Sequence, residues 1–315
     1  MEKAKVYYTD FRTVAFGDGL PTKLKKLIKK AGIGQMDMDS KFVAIKMHFG
    51  ELGNISFLRP NYARAVVDVV KELGGKPFLT DCNTMYPGSR KNALEHLYCA
   101  WENGFTPLTV GCPVIIGDGL KGTDDIGVPV AGGEYVKEAR IGRAIMDADV
   151  FISLTHFKGH ETVGFGGTIK NISIGIASSA GKAWIHSAGK TKNAAEMWSD
   201  LPAQDDFLES MAESAKSVAD HCGDRILYIS VMNNLSVDCD CDAHPEEPKM
   251  GDIGILASLD PVALDKACVD MVYASPDPGK SHLIERMESR HGIHTLEHAE
   301  AIGLGSQQYR LVELK

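Results

Sequence analysis

Short runs of almost uninterrupted apolar residues recur along the chain, most of them joined by stretches with helical spacing, and this alternation restricts the fold more than any other feature. The first, FVAIKMH at 42–48, is followed by RPNYARAVVDVVKELGG, with helical apolar spacing from Ala63 to Leu73 and a stop at Gly74-Gly75; KPFLTD is the next run. A run with no polar alternation suits a strand covered on both faces, as in a parallel sheet. A helix predicted from Ser89 to about Asn103 leads into PVIIGD, and EYVKEARIGRAIMDA reads as a helix feeding the strand DVFISLTH. Late in the chain ILYISVM and DIGILAS read as strands and PVALDKACVDMVY as a helix. The expected fold class is α/β, with mostly parallel sheets, helices on both faces and two Rossmann-like lobes. Residues 1–315 read as a single domain, its lobes at about 1–187 and 222–315 joined by a polar, Ala-rich helical segment at 188–221.

At 315 residues and 44% hydrophobic content, the chain buries a core without disulfide or metal staples. Its 34 basic residues against 42 acidic ones leave a net charge of −8, with no basic concentration. That balance argues against nucleic acid or an anionic membrane surface as the main partner. The start, MEKAKVYYTDF, lacks the apolar centre of a signal peptide, and no apolar run reaches the length of a membrane span. A cytoplasmic setting is expected, where the seven cysteines stay mostly reduced. The expected partners are a small-molecule ligand and, among proteins, a redox partner or a second copy of the chain.

Four ionisable residues, His48, Asp81, Asp118 and His156, directly follow apolar runs, which puts them at the strand ends where parallel sheets bind ligands. The densest polar cluster is HFKGHETVGFGGTIK, in which His156, Lys158, His160 and Lys170 are interleaved with Gly159, Gly164, Gly166 and Gly167. Glycines let backbone amides approach a ligand, so the loop suits an anion or a phosphate-bearing cofactor, although neither the Walker pattern nor a dinucleotide fingerprint is present. Lys182 and His186 follow in a second run of small residues, and His186 lies sixteen positions after Lys170, itself ten after His160. In VMNNLSVDCDCDAH, Cys239 and Cys241 are two apart, which in an extended segment turns both sulfurs to one side, within reach of one metal. The alternative is an acidic surface loop with two incidental thiols.

The segments KMHFGELGNISFLRP, LTDCNTMYPGSRKNALEH, THFKGHETVGFGGTIKN, CDC and DIGILASLDPVALDKA together resemble the domain of unknown function family three hundred and sixty-two, in the same order over nearly the whole chain. That family often carries an inserted ferredoxin module; here only Cys222 lies between His186 and the CDC pair, so no four-iron cluster is expected. The motif H-x3-G-F-G-G-x2-K with a later histidine is also similar to the cofactor region of the nickel-pincer lactate racemase family. That resemblance implies Lys170 as the attachment point of a pincer nucleotide, His186 as a nickel ligand and His160 as the acid/base.

Together these readings nominate His160, His48, Lys158 and Asp81 as catalytic residues. Lys170, Gly164, Gly166, Gly167, Lys182 and Arg59 are the cofactor- or substrate-binding residues. His186, His156, Cys239 and Cys241 are the ligands for nickel, iron or zinc. The leading expectation is a metal- or cofactor-dependent oxidoreductase or isomerase acting on a small anionic substrate. A metal-binding or iron–sulfur-associated electron-transfer accessory and a non-catalytic phosphate-binding module are the alternatives.

Overall fold

The structure is a computed structural model, and it describes residues 3–314; Met1 and Glu2 of the charged amino-terminal segment lie outside the described residues. Twelve strands are present among them: β1 (Ala4–Asp10), β2 (Phe42–Lys46), β3 (Lys76–Asp81), β4 (Val114–Ile116), β5 (Asp125–Pro129), β6 (Glu138–Gly142), β7 (Val150–His156), β8 (Lys158–His160), β9 (Gly164–Gly166), β10 (Ile226–Met232), β11 (Gly254–Ser258) and β12 (Tyr309–Glu313). Eight form one sheet in the order β12-β1-β11-β10-β7-β2-β3-β4. Every pairing is parallel except those of β11, which runs against both β10 and β1. The stretches 1–187 and 222–315 therefore share a single sheet, since β10 pairs with β7 and β11 with β1.

Both faces of this sheet are covered. One core gathers Ile45, Leu79, Ile152 and Ile229 under the helices Leu20–Ala31 and Pro60–Glu72. The other gathers Phe151, Tyr228 and Leu256 under Gln204–Cys222 and Pro261–Ala274. β7 and β10 are buried at every position, which is why their sequences show no polar alternation.

Three local expectations are corrected. EYVKEARIGRAIMDA is no helix: Glu138–Gly142 is β6, hydrogen-bonded antiparallel to β5, with Ala139 and Ile141 turned inward at the period of a strand, and only Arg143–Met146 is helical. The segment 188–221 is helical mainly from Gln204 onward, preceded by the single turn Ala194–Met197. The glycine-rich stretch is a small hairpin, β8 paired with β9, leading into the turn Thr168–Asn171.

From β2 the chain steps outward through β3 to β4, then returns to place β7 on the other side of β2 and β10 beyond it. The order reverses between β2 and β7, and a parallel sheet opens a crevice at such a point, beyond the carboxyl ends of its strands. His48 follows β2 and His156 ends β7 at that crevice.

Candidate functional site

A cavity of about 540 Å³ occupies the crevice. Its walls bring together most of the nominated residues: His48, Asp81, His156, Lys158, His160, Gly166, Gly167, Lys170, Lys182, His186, Cys239 and Cys241. Two nominees are elsewhere. Arg59 is exposed in the N-cap position of the helix Pro60–Glu72, and Gly164 uses its positive φ of 82° to turn the hairpin against Met287 and Gly292.

Asp240 organises the floor. With no exposed surface, its carboxylate accepts from Lys158 Nζ at 2.8 Å and lies 3.0 Å from His156 Nδ1. Burial works against its charge, but Lys158 and the nearby histidines hold Asp240 well below the usual carboxylate range. Burial likewise disfavours the Lys158 cation, and Asp240 outweighs it, so the ammonium is held above its ordinary value. The other ring nitrogen of His156 bonds the Asn233 carbonyl at 2.7 Å. Both nitrogens are thus taken, which removes His156 from the metal ligands and makes it a tie between β7 and the loops at 233 and 240.

A second buried pair sits deeper. Lys46 is 3.1 Å from Asp81 and bonds Asn171 Oδ1 at 2.9 Å. Burial would raise Asp81, yet Lys46 first, with His48, His96 and Arg90, pulls its carboxyl down to about 2. Asp81 is thereby an ionised anchor and no proton donor near neutrality.

The two imidazoles of the resemblance are held neutral. Burial, reinforced by Lys170 and Lys158, pushes His160 well below its ordinary value. Burial brings His186 to about 4. His186 donates from Nδ1 to the Lys182 carbonyl at 2.7 Å and stacks on Phe207, leaving the Nε2 lone pair available. Lys170, in the turn after β9, has no hydrogen-bond or ion-pair partner for its amine among the described residues. That turn is fixed from behind by Asp265, which accepts the Thr168 and Ile169 amides at 2.7 and 2.9 Å.

His160 faces the CDC loop. One donor atom from each of His160, Cys239 and Cys241 lies within 4.8 Å of the other two. Burial pushes the Cys239 thiol up, while the contact with Cys239 brings Cys241 down to about 7. Five other cysteines, Cys82, Cys99, Cys112, Cys222 and Cys268, are buried and free.

Several wall residues carried no nomination. Arg90 is 97% buried, pairs with Glu51 at 3.0 Å and reaches Tyr86 Oη and the Cys241 carbonyl. Glu51 and Cys241 are 39 and 151 positions away, so no local pattern reveals the cluster. Glu161 sits inside the glycine-rich motif and accepts the Cys239 amide at 2.8 Å, a role that its place between His160 and Thr162 could have suggested. Trp198, Leu201 and Arg290 line the cavity and are themselves exposed.

Among known families, that of the domain of unknown function DUF362 matches residues 43–270. The chain belongs to this family. Within the curated proteins, this DUF362 chain is 29% identical over 236 residues to the thylakoid-associated protein sll1697 of Synechocystis sp., a match covering 71% of the chain and 60% of that relative. The chain thus spans about 60% of the relative's length. Among solved structures it is similar to the lactate racemase apoprotein of Thermoanaerobacterium thermosaccharolyticum, at TM-score 0.43 and 14% identity, covering 66% of this chain and 48% of that one. A Thermotoga maritima protein gives TM-score 0.42 and 11% identity over 90% of this chain and 58% of that one. At these scores neither structure bears on the chemistry of the DUF362 chain. No helix among the described residues is long and apolar enough to cross a membrane.

Proposed function

We propose that the chain is an enzyme of isomerase or redox type acting on a small anionic substrate in the cavity at the carboxyl edge of the sheet. The observation that carries this is one cavity in which Lys170 and, on its exposed side, Arg290 present cationic heads with no partner among the described residues, beside the free Nε2 of His186. A carboxylate or phosphate entering there gains charge-assisted hydrogen bonds with little loss of existing ones. A neutral imidazole with one nitrogen fixed offers a single, aimed lone pair for a substrate proton or a metal. Titrating the protein with a panel of small carboxylates and phosphate esters by calorimetry tests the reading. At least one is expected to bind, and Lys170→Met to weaken it by about tenfold or more, about 1.4 kcal/mol or above. No binding from either class, or equal binding to the variant, overturns it.

A second reading is favoured by the unpaired amine itself. Lys170 and His186 have the free amine and the free imidazole nitrogen that a lysine-linked pincer nucleotide and its metal require. Such a group supplies, when bound, an electrophilic ring bearing a metal. His160, the acid/base of that scheme, lines the same cavity as Lys170 and His186 and also lies beside the thiols of Cys239 and Cys241. Protein purified from its native host should carry added mass on the Lys170 peptide, and an unmodified lysine there rules this version out. The free cysteines are consistent with a reducing, cytoplasmic setting.

A further inference from the structure

We infer that His160, Cys239 and Cys241 form a mononuclear metal site for a borderline-soft divalent ion of the zinc type, with its fourth position open to the cavity. The inference stands on donor geometry and is independent of the anionic-substrate reading. Around a tetrahedral zinc, with metal–sulfur bonds of about 2.3 Å and metal–nitrogen bonds of about 2.0 Å, neighbouring donors sit about 3.5–3.8 Å apart. The three donor atoms already lie within 4.8 Å of one another, so closure needs a contraction of about 1 Å. Three protein ligands with an open position characterise catalytic rather than structural zinc, and the open side here is the cavity wall shared with Lys170 and His186.

The surroundings are built for these donors. His160 and Cys239 are 93% and 99% buried. Gly159 has no side chain because the backbone of Val237 passes where a Cβ would sit, and its amide bonds the Ser236 carbonyl at 2.8 Å, locking β8 to the cysteine loop. Glu161 ties the two halves together: Oε1 accepts the Cys239 amide at 2.8 Å, and Oε2 lies 3.6 Å from His160 Nδ1. Thr162 sets both its amide and its hydroxyl 3.2 Å from the same nitrogen. The amide donates, so Nδ1 is the acceptor here; binding an ion through Nε2 moves the ring proton to Nδ1, where the hydroxyl and Glu161 accept it and the Thr162 amide contact is given up. The Cys241 amide donates to Cys239 Sγ at 3.3 Å, as amides do around metal thiolates, and Lys158 lies beside the loop through Asp240. His156 cannot join, since both its nitrogens are occupied.

Cobalt(II) titration of the reduced full chain tests the site. The expected result is equimolar uptake with a thiolate-to-cobalt charge-transfer band and strong tetrahedral visible bands, both removed by Zn²⁺. Cys239→Ser and Cys241→Ser should each weaken binding by about 100-fold or more, and His160→Gln should weaken it while keeping a thiolate band. His186→Gln and Lys170→Met should leave the spectrum unchanged, which separates this site from the anion-binding and pincer readings. Should the serine variants fold poorly, alkylation of the wild-type chain mapped by mass spectrometry gives the same answer. Zn²⁺ is expected to protect Cys239 and Cys241 selectively. Absence of the thiolate band, its persistence in the double serine variant, its loss in His186→Gln, or alkylation of the two cysteines unaffected by Zn²⁺ overturns the inference.

Discussion

Replacing Asp240 with asparagine isolates the ion pair on which the site floor rests. The substitution keeps the volume and one oxygen but removes the negative charge 2.8 Å from Lys158, in a place where Asp240 is fully enclosed and Lys158 is 94% buried. At an effective dielectric constant of 20, a unit charge pair at that distance is worth about 6 kcal/mol. Water entering the loosened cavity, or loss of the lysine proton, returns part of it, so the net cost should fall at about 3–5 kcal/mol, the range found when one partner of a buried pair is removed. Urea unfolding at neutral pH in the presence of a chelator measures this without a contribution from bound metal. Lys158→Met with Asp240→Asn completes the cycle, and the double variant should recover at least about 2 kcal/mol of the summed losses, because it leaves no unpaired charge from this couple. A cost below about 1 kcal/mol for Asp240→Asn, or strict additivity in the cycle, would refute the assignment of Asp240 as the charge that holds the floor.

Other expectations follow from the same geometry. Gly159→Ala places a Cβ 2.1 Å from the Val237 carbonyl oxygen and should cost about 3 kcal/mol in thermal or urea unfolding; a neutral effect would mean that β8 is not locked to the cysteine loop. Burial raises the Asp265 carboxyl to about 6, so the folded state holds this proton more tightly than the unfolded chain; its contribution is complete below about pH 4 and falls by about 3 kcal/mol as pH rises through 6. Asp265→Asn should flatten that part of the stability profile, and an unchanged slope counts against it. Glu213, 99% buried, accepts the amides of Glu134, Tyr135 and Val136 and ties the β5–β6 loop to the helix Gln204–Cys222. Glu213→Gln should cost about 2 kcal/mol and speed hydrogen exchange at those three amides, whereas protection equal to wild type would remove the tie.

The strands of the central sheet were readable because burial on both faces leaves uninterrupted apolar runs, as in VFISLTH and ILYISVM. β6 was not. Its inward residues, Ala139 and Ile141, are two apart, but Ile145 and Met146 beyond them extend a spacing that a helix also satisfies, and pairing with β5 settled it. Much of the site was legible because HFKGHETVGFGGTIK is local, and a hairpin keeps local residues together. The roles within it were less so. His156 looks like a ligand in sequence until Asn233 and Asp240, 77 and 84 positions later, occupy its two nitrogens. His160 carries the mark of an acid/base from its motif, and only the fold sets it against Cys239 and Cys241.

The single reversed strand has a consequence for how the protein is made. β1 is made before the other strands of the sheet, yet its described sheet partners are β11 and β12, and Tyr7 meets Ala257 only after about 250 further residues have been added. At roughly 5–20 residues per second, that wait lasts on the order of 12–50 s. For that interval a seven-residue β-forming segment remains without its partners, exposed to neighbouring nascent chains. Supplying the segment 254–314 late, or truncating the chain before Gly254, should therefore yield aggregation seeded at β1, even though β2, β3, β4 and β7 then have all their strand partners.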